Sequence, residues 1–433
     1  MTTASIRPAH HLQGAIAPPG DKSISHRALM LSSLANGSST ISGLSSGLDV
    51  LATAEIFRQL GAEITDDGGL VTVVSSGALR AAGGPLDCGN SGTTMRLLAG
   101  ILAGLPGRHQ MIGDASLSKR PMDRVAIPLR LMGARVDGIG ERLLPPIEIH
   151  GGALNGIVYE VPEPSAQVKS ALLLAGLVAE GSTTVVEAVK TRTHTEEMLE
   201  VAGIGIESVP EGSGRRITVQ PGTPRAMDWV VATDPSQAAF TVVAGLLART
   251  GGVEILDLYP GEERIGFLSV LERMGATLSR ALKDGRLTID VAPSLLHGTT
   301  VQSIEIPSVD EVPILAVAAL RAEGPTRFVD VGELRFKESD RMEATARLVR
   351  SFGGEARIEG DDLLVTPAKR GPIEVEIDPL GDHRLAMAAS IAALSSDEGS
   401  EVVVRDIECI STSYPAFFEH LRSLGAAVEV EAS

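Results

Sequence analysis

Glycine returns in this chain at a near-constant interval, always in the same setting. An apolar residue, a glycine and a short β-like stretch follow one another at 60–62, 132–134, 202–204, 274–276, 352–354 and 424–426. Successive glycines, from Gly61 to Gly425, lie 72, 70, 72, 78 and 72 residues apart. Each closes an amphipathic stretch: 51–60, 122–132, 196–202, 264–274, 340–352 and 415–424. Glycine just past the last apolar turn can take the left-handed conformation that ends a helix, which is why it recurs there.

A second, more apolar helix precedes each of these. The six candidates begin near Ser23, Ser91, Ala166, Ser236, Glu311 and His383. Helices that are hydrophobic nearly all round are usually buried. Short β-branched runs, such as 70–74 and 401–404, fill the gaps. The chain therefore reads as six α/β units of about 70 residues, each with a buried helix, a surface helix and several strands. One such unit buries too little core to stand alone. Three units packed around their apolar helices make a domain, and six make two.

Composition narrows the function. Aromatics are 3 % of the chain, so the cores are built from Ala, Leu, Val, Ile and Met. Asp and Glu outnumber Lys and Arg by 55 to 38, a net charge of −17. That argues against general affinity for nucleic acid or an anionic membrane. It does not exclude a small anionic substrate, because exposed charges are screened beyond roughly 8 Å and local cations dominate a cleft. The two cysteines, Cys88 and Cys409, fit no CxxC pattern. A disulfide framework or thiolate metal site is not expected, and a reducing compartment is. No signal-peptide core opens the chain, and no apolar run approaches the ~20 residues of a membrane span. The expectation is a cytoplasmic protein.

Chemistry collects just before the apolar helices. The runs are GDKSISHR (20–27), GNSGTTMR (89–96), SAQVK (165–169), DPS (234–236), SVDE (308–311) and GDHR (381–384). A helix N-terminus offers free N–H groups and a positive dipole end to an anion. Six such starts facing one interdomain cleft would make a site for phosphate and carboxylate. Cations crowd the same runs: Lys22, Arg27, Arg96, Arg120, Arg124, Lys169, Arg192, Lys337, Arg341 and Arg384. Arginine suits bidentate contact with such groups, whereas lysine acts as a point charge or proton donor.

Carboxylates accompany them. Asp310 is placed to be either a helix cap or a base for a substrate hydroxyl, and Glu338 could take part in proton transfer. His26, His194 and His383 lack metal-ligand spacing and read as structural or hydrogen-bonding residues. Neither GxxxxGK[ST] nor a helix-opening GxGxxG occurs, so no nucleotide cofactor and no metal are expected.

Together PGDKSISHR (19–27), GNSGTTMR (89–96), GDASLSKRPM (113–122), RFKESDR (335–341) and DHR (382–384) resemble the 5-enolpyruvylshikimate-3-phosphate synthase family of enolpyruvyl transferases. The likeness runs from about residue 13 to residue 430. It implies an α/β fold of two similar domains, each of three βαβαββ units packed around buried helices, an inside-out α/β barrel. The domains would be 20–232 and 1–19 with 233–433, closing on substrate in the cleft between them. The implied reaction is transfer of the enolpyruvyl group of phosphoenolpyruvate to the 5-hydroxyl of shikimate 3-phosphate, by a monomer.

Carried over by motif, Lys22, Ser23 and Arg27 are implied contacts of shikimate 3-phosphate. Ser165, Ala166 and Gln167 resemble the segment that binds its phosphate, with Arg192 joining that segment. Lys22, Gly92, Arg120, Gln167, Arg341 and Arg384 are implied at phosphoenolpyruvate. Asp310 is the implied base on the 5-hydroxyl, with Lys337 also near that substrate, and Glu338 the group for proton transfer at the methylene carbon. Lys22, Asp310 and Glu338 make up the catalytic set.

Two departures stand out. One branch of the family has a lysine shortly before its final aromatic–Pro pair, where this chain reads STSYP (411–415). Gly92 is glycine where glyphosate-insensitive relatives tend to have alanine, yet the 165–167 and 337–338 segments look like that branch. The rival reading is a UDP-N-acetylglucosamine enolpyruvyl transferase, which generally has a cysteine where this chain has Ala115. A non-catalytic scaffold would be expected to lack Lys22, Asp310 or Glu338. A nucleic-acid-binding module would need positive charge and aromatics for stacking.

Overall fold

All six repeating glycines end a helix in left-handed geometry, with φ between 81° and 112°. Each carries the same pair of hydrogen bonds. At the first, Gly61 N–H donates to Arg58 O and Ala62 N–H to Phe57 O; at the last, Gly425 donates to Arg422 O and Ala426 to Leu421 O. These bonds satisfy carbonyls that a helix end leaves open.

In chain order the helices are α1 (Lys22–Leu34), α2 (Leu48–Gln59), α3 (Gly92–Gly104), α4 (Asp123–Leu131), α5 (Ala166–Gly176), α6 (His194–Val201), α7 (Pro235–Leu247), α8 (Glu262–Arg273), α9 (Val312–Arg321), α10 (Arg341–Ser351), α11 (His383–Leu394) and α12 (Phe417–Ser423). Even-numbered helices carry the repeating glycine, and odd-numbered ones are the apolar set. Every residue of α11 and all but one of α7 are buried. The computed structural model describes residues 2–307, 309–369 and 371–432. Ser308, in the polar run before α9, lies outside the described residues.

Contacts divide the chain into two units, residues 20–231 and residues 1–19 with 232–433. Within the first, each third is a four-stranded sheet with one inner and one outer helix. The third repeat shows the plan. Val158–Val161 runs parallel to Thr183–Glu187 across α5; that strand pairs antiparallel with Gly214–Val219, which pairs in turn with Ile206–Glu211. The result is β-α-β-α-β-β. In the first repeat the opening strand comes from the far end of the unit, where Asp228–Val230 pairs parallel with Thr40–Ser42 of Asn36–Ser42. Strand Leu70–Ser76 alternates, with Val71, Val73 and Ser75 buried, as a sheet packed on one face requires.

In the second unit α7, α9 and α11 pack on one another, with sheets outside them. Two sheets use the N-terminal residues. His11–Ile16 runs parallel to Thr250–Leu258. Thr2–Ile6 inserts between Glu401–Val404 and Val428–Ala432, antiparallel to both. These local sheets around buried helices are the mixed α/β architecture expected from the repeat.

Inner helices cross closely. A Cβ on Gly100 of α3 would lie 2.1 Å from the carbonyl oxygen of Ala171 in α5, so only glycine fits there. Among the described residues no helix is long and apolar enough to cross a membrane.

Candidate active site

Five of the six inner helices are capped by a side chain from the polar runs. Asp21 accepts from Ile24 N, Ser91 from Thr94 N, Ser165 from Val168 N, Asp234 from Ser236 N and Asp382 from Arg384 N. The exception is α9. Its N-cap residue is Glu311, without a side-chain cap bond, and Asp310 stands one residue outside the helix. The Asp310 carboxylate meets cations from other elements.

In unit 20–231 the starts of α1, α3 and α5 carry a connected polar group. Lys22 Nζ donates to Asp49 Oδ2 at 2.9 Å. Arg27 Nε donates to Thr195 Oγ1 at 2.7 Å, Nη2 to Ser170 Oγ at 2.8 Å and Nη1 to the carbonyl of Ser23 at 2.9 Å. Gln167 bridges two helices: its Oε1 accepts from Arg96 Nη1 at 2.8 Å and its Nε2 donates to Thr93 Oγ1 at 2.9 Å. Arg120 Nη2 donates to Asn90 Oδ1 at 2.8 Å and Ser116 Oγ at 3.1 Å, and Asn90 is held by Asp114. Gly92 lies under both arginines, since an added Cβ would sit 2.8 Å from Arg96 Nη1 and 3.3 Å from Arg120 Nη1. Behind this layer His26 bonds Thr53 at 2.8 Å, and Thr53 bonds Thr94 at 2.7 Å. Burial, then Lys22 and Arg27, hold His26 well below the ordinary imidazole value, so it is neutral.

The other unit gathers three cations and four carboxylates. Arg341, 1 % exposed at the start of α10, is bidentate on Asp382, with Nε to Oδ2 at 2.7 Å and Nη2 to Oδ1 at 3.1 Å. Its Nη1 reaches Asp310 Oδ1 at 3.1 Å and its Nη2 reaches Glu338 Oε2 at 2.5 Å. Lys337 Nζ lies 3.6 Å from Asp310 and 3.1 Å from Glu333. Arg384 Nη1 donates to the carbonyl of Asp310 at 3.3 Å, and its Nη2 is 3.9 Å from Asp310 Oδ2. Burial alone would pull the Arg341 pKa down, but Asp382, Glu338 and Asp310 outweigh it and raise it. The guanidinium stays charged.

Asp310, Lys337, Glu338, Arg341 and Arg384 are thus brought together on one unit. On the other, Gly92, Arg120 and Gln167 meet through Arg96, while Arg27 joins the start of α1 to α5 and α6. Three of the cations picked from the sequence are not among these groups: Arg192, on the loop before α6, and two that pair elsewhere. Arg124 is half-exposed and pairs with Glu163, and Lys169 is fully buried between Glu187 and Glu196. Ion-pairing partners nearby in space, invisible in the linear sequence, account for both.

Sequence reasoning missed Asp49, Asn90, Asp114 and Asp382 as partners of the cations. Asn90, Asp114 and Asp382 lie inside motifs already singled out and gave a signal; Asp49 lies outside them. Among the described residues no group of three or more His, Cys, Asp or Glu is arranged to hold a metal ion.

Comparison with known proteins bears on this arrangement. The sequence model of the family described as EPSP synthase (3-phosphoshikimate 1-carboxyvinyltransferase) matches residues 6–421. A 3-phosphoshikimate 1-carboxyvinyltransferase of Streptococcus thermophilus is 41 % identical over 425 residues, covering 96 % of this chain and 98 % of that protein. One from Lactococcus lactis subsp. cremoris is 43 % identical, covering 95 % and 97 %. The solved structure of EPSP synthase from Acinetobacter baumannii matches with a TM-score of 0.85 at 37 % identity, over 100 % of both chains. The enolpyruvyl transferase NikO from Streptomyces tendae shares the fold, with a TM-score of 0.80 at 19 % identity over 100 % of this chain and 99 % of that one.

Proposed function

The chain belongs to the EPSP synthase family, and from that premise we propose how its two polar groups divide the work. The reaction is transfer of the enolpyruvyl group of phosphoenolpyruvate to shikimate 3-phosphate, a step of the shikimate pathway. Lys22, Ser23, Arg27, Ser165, Ala166, Gln167 and Arg192 bind shikimate 3-phosphate. Lys22, Gly92, Arg120, Gln167, Arg341 and Arg384 bind phosphoenolpyruvate.

Asp310 accepts the proton of the 5-hydroxyl as that oxygen adds to C2 of phosphoenolpyruvate. C3 is protonated in the same step, giving a tetrahedral intermediate. Loss of phosphate and of a proton from the new methyl carbon then yields the enol ether. Glu338 serves the proton transfers at that carbon. A C–O bond breaks, so the protein's task is positioning and charge neutralisation.

The observation that carries this reading is the setting of Asp310. It stands one residue outside α9, and its carboxylate faces Arg341, Lys337 and Arg384, cations suited to a carboxylate or phosphate ligand. Glu338 shares Arg341 with it. We propose also that the enzyme is a cytoplasmic monomer, in keeping with two free cysteines.

The test is phosphate release from phosphoenolpyruvate with shikimate 3-phosphate or UDP-N-acetylglucosamine as acceptor. Release with shikimate 3-phosphate alone, lost in Asp310→Asn, supports the assignment. Full activity in Asp310→Asn removes Asp310 from the mechanism.

A further inference from the structure

Lys169 points its ammonium between two carboxylates, Glu187 Oε2 at 3.1 Å and Glu196 Oε1 at 2.6 Å, with side-chain exposures of 0 %, 2 % and 8 %. Burying three ionisable groups is costly even when they pair, burial pushes the Glu196 carboxyl above its ordinary value, and apolar residues of the same volume often hold a core as well. Stability alone is a poor reason for such a trio.

Its neighbours supply a better one. Ser170 follows Lys169 on α5, and Thr195 precedes Glu196 on α6. Their hydroxyls are 2.7 Å apart, and both accept hydrogen bonds from the guanidinium of Arg27. The Lys169–Glu196 pair therefore ties α5 to α6 at the step where the adjacent residues grip Arg27. Glu187 does a second job. Its Oε1 accepts from the backbone N–H of Thr191 at 3.1 Å, and its Oε2 accepts from the Thr191 hydroxyl at 2.6 Å. Residue 191 is thereby fixed in the loop that carries Arg192.

We propose that Lys169, Glu187 and Glu196 are positioning residues for two arginines of the shikimate 3-phosphate site, holding Arg27 and Arg192 in place for that substrate. This rests on the assignment of those two arginines given above. None of the three touches substrate. They act by removing the rearrangement that a mobile α6 or a loose 188–193 loop would impose on binding.

Thr191→Val tests it with little risk to folding, because it deletes one hydroxyl and leaves the buried charges paired. The expected result is a KM for shikimate 3-phosphate raised about five- to tenfold, the scale of one hydrogen bond. The KM for phosphoenolpyruvate, kcat and Tm stay near wild type, and Thr191→Ser, which keeps the hydroxyl, restores the KM. The variant Glu196→Met, which removes the α5–α6 pair and leaves Lys169 paired with Glu187, shows the same selective rise. A wild-type KM for shikimate 3-phosphate in Thr191→Val overturns the role of Glu187, and one in folded Glu196→Met overturns that of the α5–α6 tie. Arg27→Ala separates the two levels. A raised KM there, with none in the other variants, sinks the positioning role alone; an unchanged KM in Arg27→Ala sinks the substrate assignment and this proposal with it.

Discussion

Arg341 and Asp382 are locked together by two parallel hydrogen bonds, 2.7 and 3.1 Å, with the arginine 1 % and the aspartate 0 % exposed. Asp382 also caps α11 through Arg384 N at 3.0 Å and accepts from Ser339 at 2.9 Å. One carboxylate thus aims two arginines. Asp382→Ala is expected to lower unfolding free energy by about 3–5 kcal/mol, the usual cost of stranding a buried charge. Denaturant unfolding gives the number, and a loss under about 1 kcal/mol would mean that Asp310 and Glu338 suffice to hold Arg341.

Asp310→Asn keeps the shape beside Arg341 and removes the base. A drop in kcat of about 10²–10⁴ is expected, the range for a general base, with the KM for phosphoenolpyruvate changed much less. Steady-state kinetics with each substrate varied would show it. Equal losses in kcat and binding of both substrates would point to a structural role instead.

Gly92→Ala places a methyl 2.8 Å from Arg96 Nη1 and 3.3 Å from Arg120 Nη1, so one or both guanidiniums must shift. Glyphosate competing at this position should bind about tenfold more weakly, the equivalent of roughly 1.4 kcal/mol. The KM for phosphoenolpyruvate rises in the same direction. An unchanged inhibition constant would refute the steric argument.

His26 gives a pH signature of stability. Its folded pKa lies well below 6.5 because of burial and the charges of Lys22 and Arg27. Below pH 6.5 the unfolded chain takes up a proton that the folded one refuses, so stability falls as pH drops through that window and is retained above it. The slope approaches about 1.4 kcal/mol per pH unit. His26→Gln cannot titrate, so comparing unfolding at about pH 5.5 and pH 7.5 should show a shallower fall in the variant. Parallel curves would place the titration elsewhere.

The outer helix ends were legible because a left-handed residue after the last turn all but demands glycine. Inner helix starts were legible to within a residue or so, from capping residues followed by apolar runs. What the chain did not reveal depends on residues far apart in sequence. Nothing in Asp228–Val230 names Asn36–Ser42 as its partner, and the buried surroundings of Lys169 come from a strand end and a separate helix. At the site the motifs identified the cations and contain Asp114 and Asp382, but the pairing of these acids, like that of Asp49, emerged only from distances. Asp310 was ambiguous until Glu311 proved to be the cap residue of α9.

The two N-terminal strands set an order of events during synthesis. His11–Ile16 leaves the ribosome before its partner Thr250–Leu258 exists, and Thr2–Ile6 waits for both Glu401–Val404 and Val428–Ala432. The intervening residues 20–231 close on themselves, with Asp228–Val230 completing their first sheet. At about 5–20 residues per second, the nascent chain carries unpaired strand edges for on the order of ten seconds or more before the first can be covered. Ile6, Leu12 and Ile16, all buried in the finished protein, face solvent or a chaperone through that interval. Strand Val428–Ala432 is therefore the one that finally shelters Thr2–Ile6.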